Sequence, residues 1–382
     1  MEVIQLAWIA IYEFGKYVFT RKFDIESFWT KCIRVNIVYT KFFQAIASKY
    51  NLHTSVHNIP YTEDEIDIPL ELNVGSVIGS GLISIVFEGE RNGQPIVIKT
   101  KRRNIDRRVT ESILAIHRMV EWIDWIYPIP TIIVALLEMT DIFYTQLDFR
   151  KEVENHKRFQ ALFTQKPYVV FPTLIEEECN AKQIVMTRLN GEPLATRSDE
   201  QKKLYASYLT DLLMQGLLVD GFVHADLHVG NLMFQENTMG VLDFGLMIEL
   251  SKEEKIIFTD IIQAFAMQDF DNAAIYTFRM IGPAERKKEL SDEILEDLHA
   301  FIIHNFKRAV QVHHSFRVCD VMEMNQKLRV HGLTLSPLFS KIMMALHSVE
   351  SVLTKLSTNP ADVMLQVALT LLTQQITGPI RR

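Results

Sequence analysis

Apolar residues recur every third or fourth position in some parts of this chain and in short unbroken runs in others, and the alternation marks out its elements. Residues 3–12 are apolar apart from Gln5, which predicts a helix buried against the main body; a helix dipping into a membrane surface is the alternative. The spacing of Phe28, Cys32, Val35, Val38, Phe42 and Ile46 predicts a helix over 25–50. Residues 51–73 hold Pro60, Pro69 and the acidic run Glu63, Asp64 and Glu65, and read as a linker. Beta-rich runs on either side of Asn92 and Gly93 predict a hairpin, and residues 96–99 a strand ending in Lys99. Helices are expected over 107–126 and from 131 towards 141, separated by Pro128 and Pro130, and again over 146–159. Strands are expected over 168–174 and 183–186, a turn at 189–191, a helix over 203–219 and a hairpin joining 232–234 to 240–242. Beyond it the pattern is helical, over 252–268, 271–281, 290–312 and 338–377, with a break near Pro360.

Composition narrows the class. A chain of 382 residues, 48% hydrophobic and 23% charged, is globular and long enough for one large two-lobed unit or two domains. A net charge of −7 argues against nucleic acid as the main partner, because that binding rests on neutralising phosphates. Cys32, Cys179 and Cys319 lie too far apart for a metal motif or a disulfide framework, so an intracellular reducing compartment is expected. No apolar run reaches the ~18 residues of a spanning helix. The start of the chain has no basic segment or cleavage-type site, and no arginine before Arg21, so neither a signal peptide nor a mitochondrial presequence is expected. His313 and His314 read as surface. Lys99, Lys101, Arg102, Arg103, Arg107 and Arg108 read as a solvated strand exit and helix start, with contact to anionic lipid or phosphate as the alternative.

The chemistry is concentrated in two nearby stretches. Residues 221–231 set His224, Asp226 and Asn231 in an H-x-D-x-x-x-x-N frame, and Asp243, Phe244 and Gly245 follow a short apolar run. This is the catalytic-loop and metal-loop pair of the kinase fold. In phosphoryl transfer one carboxylate orients the nucleophile, which suits Asp226. An amide in the same loop and a second carboxylate hold Mg²⁺, which suits Asn231 and Asp243. Upstream, Gly79, Ser80, Gly81, Ser84 and Val86 form a G-x-G-x-x-S-x-V candidate for the loop over the phosphates of ATP. Lys99 stands where a kinase places its phosphate-binding lysine. Glu152, which shares a helix face with Asp148 and Asn155, is its expected ion-pair partner. Met186 precedes the turn at 189–191, where adenine sits in this fold. The expected fold is α+β and two-lobed: a helical extension and linker over 1–72, a kinase-like N-lobe over 73–190 with a helical insert at 104–145, and a helical C-lobe over 191–382. Two features set it apart from ordinary protein kinases. The insert separates Lys99 widely from Glu152, and Leu246 runs almost directly into the capping-box start at Ser251, leaving no long activation segment to dock a peptide.

These residues carry a family resemblance, over roughly residues 25–355. The run HADLHVGN at 224–231 resembles the H-A-D-P-H-P-G-N of the UbiB/ADCK atypical kinases, which are associated with coenzyme Q biosynthesis. QLDFRKE at 146–152 resembles their E-L-D-Y-x-x-E-A, and YTKFFQAIAS at 39–48 their K-x-G-Q-x-x-S. The resemblance implies a kinase-like fold whose helical extension covers the active site, ATP and Mg²⁺ as cofactors, and ATPase activity. It also implies a role near membranes and lipid-like substrates; the expected partners are nucleotide and either a peripheral membrane or lipid-like substrate or a protein complex that the chain drives. Lys41 and Gln44 carry over as nucleotide-side residues, and Asp148 as part of the E-x-D motif. Three positions depart from the pattern: Phe43 replaces the glycine of K-x-G-Q, Gln146 replaces the glutamate partner of Lys41, and the Gly79–Val86 loop replaces an alanine-rich one. A divergent member, with phosphoryl transfer to water or to an unidentified acceptor, is the expectation. A small-molecule kinase of the aminoglycoside or choline type, or a nucleotide-binding pseudokinase, are the alternatives.

Overall fold

A computed structural model describes residues 2–20, 25–36, 38–39, 73–126, 144–192, 194–313 and 318–356. The expected linker before Asn73, the helix over 131–141, the segment 357–377, and Lys41, Phe43 and Gln44 lie outside the described residues, as does the side chain of His313. The chain divides into two compact units. The first is Met1–Val153 with Thr173–Arg188; the second is Glu154–Pro172 with Leu189–Arg382.

The first unit is built on a four-stranded antiparallel sheet. Strands β1 (Asn73–Ser80), β2 (Ser84–Arg91), β3 (Gln94–Lys101) and β4 (Gln183–Thr187) lie side by side in that order. The β2–β3 turn needs two left-handed residues in succession, and Asn92 (φ 53°) and Gly93 (φ 79°) supply them. Ile85, Phe87, Ile96, Ile98 and Val185 form one apolar layer. The other joins Leu82, Ile83 and Ile184 to Ile105, Val109 and Ile113 of α3 (Ile105–Ile126) and to Phe149. Leu6 of α1 (Glu2–Thr20), Cys32 of α2 (Ile25–Val35) and Tyr39 complete that layer.

Four local expectations are corrected in this unit and at its border. Helix α2 stops at Val35 because buried Asn36 turns its amide oxygen onto the Val38 N–H (3.1 Å), a side-chain turn that competes with helix. Helix α1 is not buried all round: Leu6 faces the core, while Ile4, Trp8, Ile11 and Tyr12 are each more than half exposed. The basic stretch at the end of β3 is not a solvated exit. Lys99, Lys101 and Arg102 are buried, and Lys101 is held by Asp106 and the Leu147 carbonyl. Arg103 and Arg107 are exposed. Finally, residues 168–174 do not form one strand. Pro172 has no N–H to donate; Val169–Val170 pairs in the second unit, and Leu174 bridges to Met186 in the first.

The second unit is mostly helical. Helix α5 (Asp199–Met214) begins in a capping box of Ser198 and Gln201 and runs into a π-helical turn, Gln215–Asp220. Gly221 ends that turn at φ 67°, in the left-handed region. A Cβ at Gly216 would lie 2.7 Å from the Phe222 carbonyl oxygen, so a glycine lets the returning chain pass. Strand β5 (Phe222–His224) pairs antiparallel with β8 (Met247–Glu249). Between them the hairpin of β6 (Leu232–Phe234) and β7 (Met239–Val241) pairs with Val169–Val170. Helices α6 (Lys252–Ala266), α7 (Phe270–Arg279), α8 (Asp292–Arg308), α9 (Val318–Arg329) and α10 (Pro337–Lys355) follow. Ser251 caps α6 in a box with Glu254. The sequence pattern did not single out α9, nor the bridge of Ile281–Gly282 to Thr334–Leu335.

Candidate functional site

In the first unit, Lys99 sits on the central strand β3, opposite Val86 on one side and Ile184 on the other. Its Nζ lies 2.6 Å from Glu152 Oε1, and the two side chains are 10% and 8% exposed. The Phe149 ring lies 5.5 Å from the ammonium. Glu152 belongs to the first turn of α4 (Phe149–Phe163), where a carboxylate is favoured by the helix dipole. Asp148, just before α4, accepts the Arg150 N–H (3.1 Å) and pairs with the Arg150 guanidinium, which holds its carboxyl below the usual range. Met186 is buried on β4, opposite Val97.

The glycine-rich loop is a tight connection between β1 and β2. Gly81 N–H donates to Ser84 O (2.9 Å), and Ser80 and Ser84 are buried. Gly79 pairs with Val86. Neither Gly79 nor Gly81 has a positive φ, and an added Cβ would meet nothing nearer than 3.6 Å at either. The fold itself thus tolerates a side chain at both positions.

In the second unit, backbone and side-chain bonds gather the three motif residues. His224 is buried. Its Nδ1 accepts the Asp226 N–H (3.2 Å), so its Nε2 carries the proton and donates to the Asp243 carbonyl. Burial holds this imidazole below its ordinary pKa, in keeping with a neutral ring. Asn231 Nδ2 donates to the Asp226 carbonyl (2.9 Å), and the Leu242 N–H donates to the Asn231 carbonyl (3.0 Å). Asp243 Oδ1 accepts the Gly245 N–H (2.9 Å). The Ala225 N–H donates to Leu246 O (3.0 Å), which closes the two loops at their bases. Beside Asp226, His228 Nε2 stands 3.7 Å from Oδ2.

Phe244 is buried and seated on α4: the His156 ring stacks on it at 4.4 Å, and Asn155 Nδ2 donates to its carbonyl (3.0 Å). His156 was not picked out from the sequence. It stands four residues after Glu152, one helical turn on, and that spacing was the available signal.

The donor set suits Mg²⁺. Asn231 uses its amide N–H₂ internally, which directs its carbonyl oxygen to other partners, and a carboxylate such as Asp243 accepts several bonds at once. Mg²⁺ takes one or two carboxylates, with water and phosphate oxygens completing its shell. No group of three or more His, Cys, Asp or Glu disposed to hold a metal occurs among the described residues.

Comparison with known proteins adds identity to this geometry. The family model described as "ABC1 atypical kinase-like domain" matches residues 76–277, a little over half of the chain. The chain is 30% identical over 221 residues to a Clostridium pasteurianum protein described as "Uncharacterized protein in hydrogenase 1 5'region", covering 54% of this chain and 40% of that protein. It is 28% identical over 199 residues to the "Probable protein kinase UbiB" of Glaesserella parasuis, covering 48% of this chain and 36% of that protein. The matches thus span two fifths or less of these curated relatives. A solved structure of the Mycobacterium tuberculosis protein Rv3197 in complex with erythromycin superposes with a TM-score of 0.51, at 18% identity, over 77% of each chain. That likeness is one of fold: two-lobed, largely helical α+β, with kinase-like architecture. The matched stretch contains strands β2 to β4, most of β1, the Lys99–Glu152 pair and both motif loops, and the chain belongs to the ABC1/UbiB atypical kinase-like family, as a divergent member.

Proposed function

We propose that this chain is an ATP- and Mg²⁺-dependent phosphotransferase or ATPase of the atypical-kinase type. The observation that carries the reading is the Lys99–Glu152 pair. A buried ion pair is a poor stability device, because desolvation offsets most of its attraction, and apolar residues of the same volume serve a core as well or better. Its presence on a central strand favours a need for the lysine's charge. Lys99 would contact phosphate oxygens, with Glu152 fixing its ammonium. Gly79, Ser80, Gly81, Ser84 and Val86 would form the loop over the phosphates. Asp243 and Asn231 would hold Mg²⁺, which when bound neutralises charge on the phosphates. Asp226 would orient the acceptor, water or a hydroxyl, and His224 keeps the two loops in register. These groups act by placement and by stabilising charge.

The test is Mg²⁺-dependent release of phosphate from labelled ATP, with label followed on protein and on lipid, in the wild type and in Asp243→Asn and Asp226→Asn. Turnover lost in both variants supports the reading. Turnover that survives both, or a wild type with none, refutes it; nucleotide binding without turnover would instead indicate a pseudokinase.

The acceptor or partner is proposed to be lipid-associated. What supports this is α1, which presents Ile4, Trp8, Ile11 and Tyr12 on one face, the form of an interfacial helix. No helix among the described residues is long and apolar enough to cross a membrane. Flotation with anionic vesicles, compared between wild type and a Trp8→Glu, Ile11→Glu variant, decides the point: equal flotation of the two would remove it.

A further inference from the structure

Arg102 follows the last residue of β3 and is 2% exposed. It places three donors on three residues of the glycine-rich loop. Its backbone N–H donates to Ile83 O (2.8 Å), its Nε to Gly81 O (3.0 Å), and a terminal guanidinium nitrogen to Ser80 Oγ (2.8 Å). The loop tip is anchored as well: Leu82 and Ile83 are buried among Ile105, Phe149 and Ile184.

From this geometry we infer that Arg102 is a positioning residue for nucleotide phosphates, acting through the loop; the inference rests on the nucleotide reading above. Three physical consequences point the same way. A guanidinium is a planar, rigid fork, so two contacts to neighbouring residues fix the loop's shape and not only its charge. In a planar trans peptide the C=O and N–H point oppositely. Drawing the Gly81 carbonyl onto Arg102 therefore turns the Leu82 N–H away from it, so a loop oxygen that would repel phosphate is occupied from within. The guanidinium also brings a permanent positive charge beneath the loop. On the loop itself, Gly79 and Gly81 have neither a backbone nor a packing need to be glycine, and a closely approaching ligand group supplies one.

Arg102 should then matter for phosphates and not for the nucleoside. The experiment measures affinity of the full chain for Mg·ATP, Mg·ADP and adenosine by calorimetry, in wild type, Arg102→Gln, Arg102→Lys and Ser80→Ala, with ligand-free melting temperatures alongside. Arg102→Gln is expected to weaken both phosphorylated ligands about tenfold or more, a modest loss on the affinity scale, while adenosine stays within about twofold. Arg102→Lys should recover part of the loss. Ser80→Ala, which removes one acceptor and leaves Arg102 in place, should shift the phosphorylated ligands in the same direction by less; it carries the test if Arg102→Gln does not fold. Equal weakening of all three ligands would make Arg102 a purely structural residue and overturn the inference, as would unchanged ATP affinity. A wild type that binds ATP no better than adenosine overturns the inference alone. A wild type that binds none of the three overturns the nucleotide reading with it.

Discussion

Replacing Glu152 by alanine leaves the Lys99 ammonium on a central strand with its side chain only 10% exposed. Removing one partner of a buried pair costs about 3–5 kcal/mol, because the remaining charge keeps its desolvation penalty and loses the carboxylate beside it. The small residual exposure of Lys99 places the expectation at the lower end, about 3 kcal/mol. For a unit of this size that corresponds to a fall of roughly 6–12 °C in the melting transition. Replacing both partners, as Lys99→Met with Glu152→Leu, removes the charge as well as the pair. That double variant should melt above the single one, within about 1 kcal/mol of wild type or beyond it, while remaining as inactive. The assay is calorimetric melting, with the two units' transitions resolved separately, beside phosphate release from ATP. A Glu152→Ala variant that loses less than about 1 kcal/mol, or a double variant no more stable than the single one, would refute the description of the pair as desolvated and held for its charge.

Three other outcomes are expected. His156 is 2% exposed, its Nε2 is buried without a partner, and burial pushes its pKa down to about 4. Below its ordinary value near 6.5 the unfolded chain therefore binds a proton that the folded chain refuses. This stability is complete above that value and is lost as pH falls towards about 4. Melting followed across that window should be flatter in His156→Leu than in wild type, and parallel slopes would exclude the histidine as the cause. Gly216→Ala forces a Cβ to within 2.7 Å of the Phe222 carbonyl oxygen, so the variant should lose about 2 kcal/mol or more in urea unfolding; a loss under about 0.5 kcal/mol would show that the π-helical turn yields easily. Ser251→Ala removes the capping box of α6 and should cost about 1 kcal/mol by the same assay, with phosphate release little changed.

The parts of the chain that could be read in advance were those in which a residue's local need and its global place agree. The hairpin at Asn92 and Gly93 demands left-handed backbone, and the box at Ser251 and Glu254 announces a helix start. Lys99 and Glu152 could be paired because fold logic supplied what their separation of 53 positions concealed. Other features depended on partners far away in sequence. The apolar spacing through Val38 continued past Val35, but nothing in it revealed that Asn36 would bend its own backbone. The cations at 101 and 102 looked solvated because their acceptors, the Leu147 carbonyl and the loop at 80–83, lie elsewhere in the sequence. His156 is polar on a helix whose apolar face was otherwise legible, and its burial is explained by the rings of Phe244 and Phe171, distant in sequence.

The closure of the two motif loops also bears on control. Within four residues of Asp243 the chain is back in a strand, with Met247 opposite His224, and by Ser251 it has entered a capped helix. Order–disorder switching of the kind driven by phosphorylation needs slack: a segment long enough to leave its place and a hydroxyl free to be modified. Between Gly245 and α6 the only hydroxyl is that of Ser251, and it is engaged in capping. The stretch after these two loops therefore has neither the length nor the free hydroxyl that such switching uses, and control by phosphorylation would have to act elsewhere on the chain.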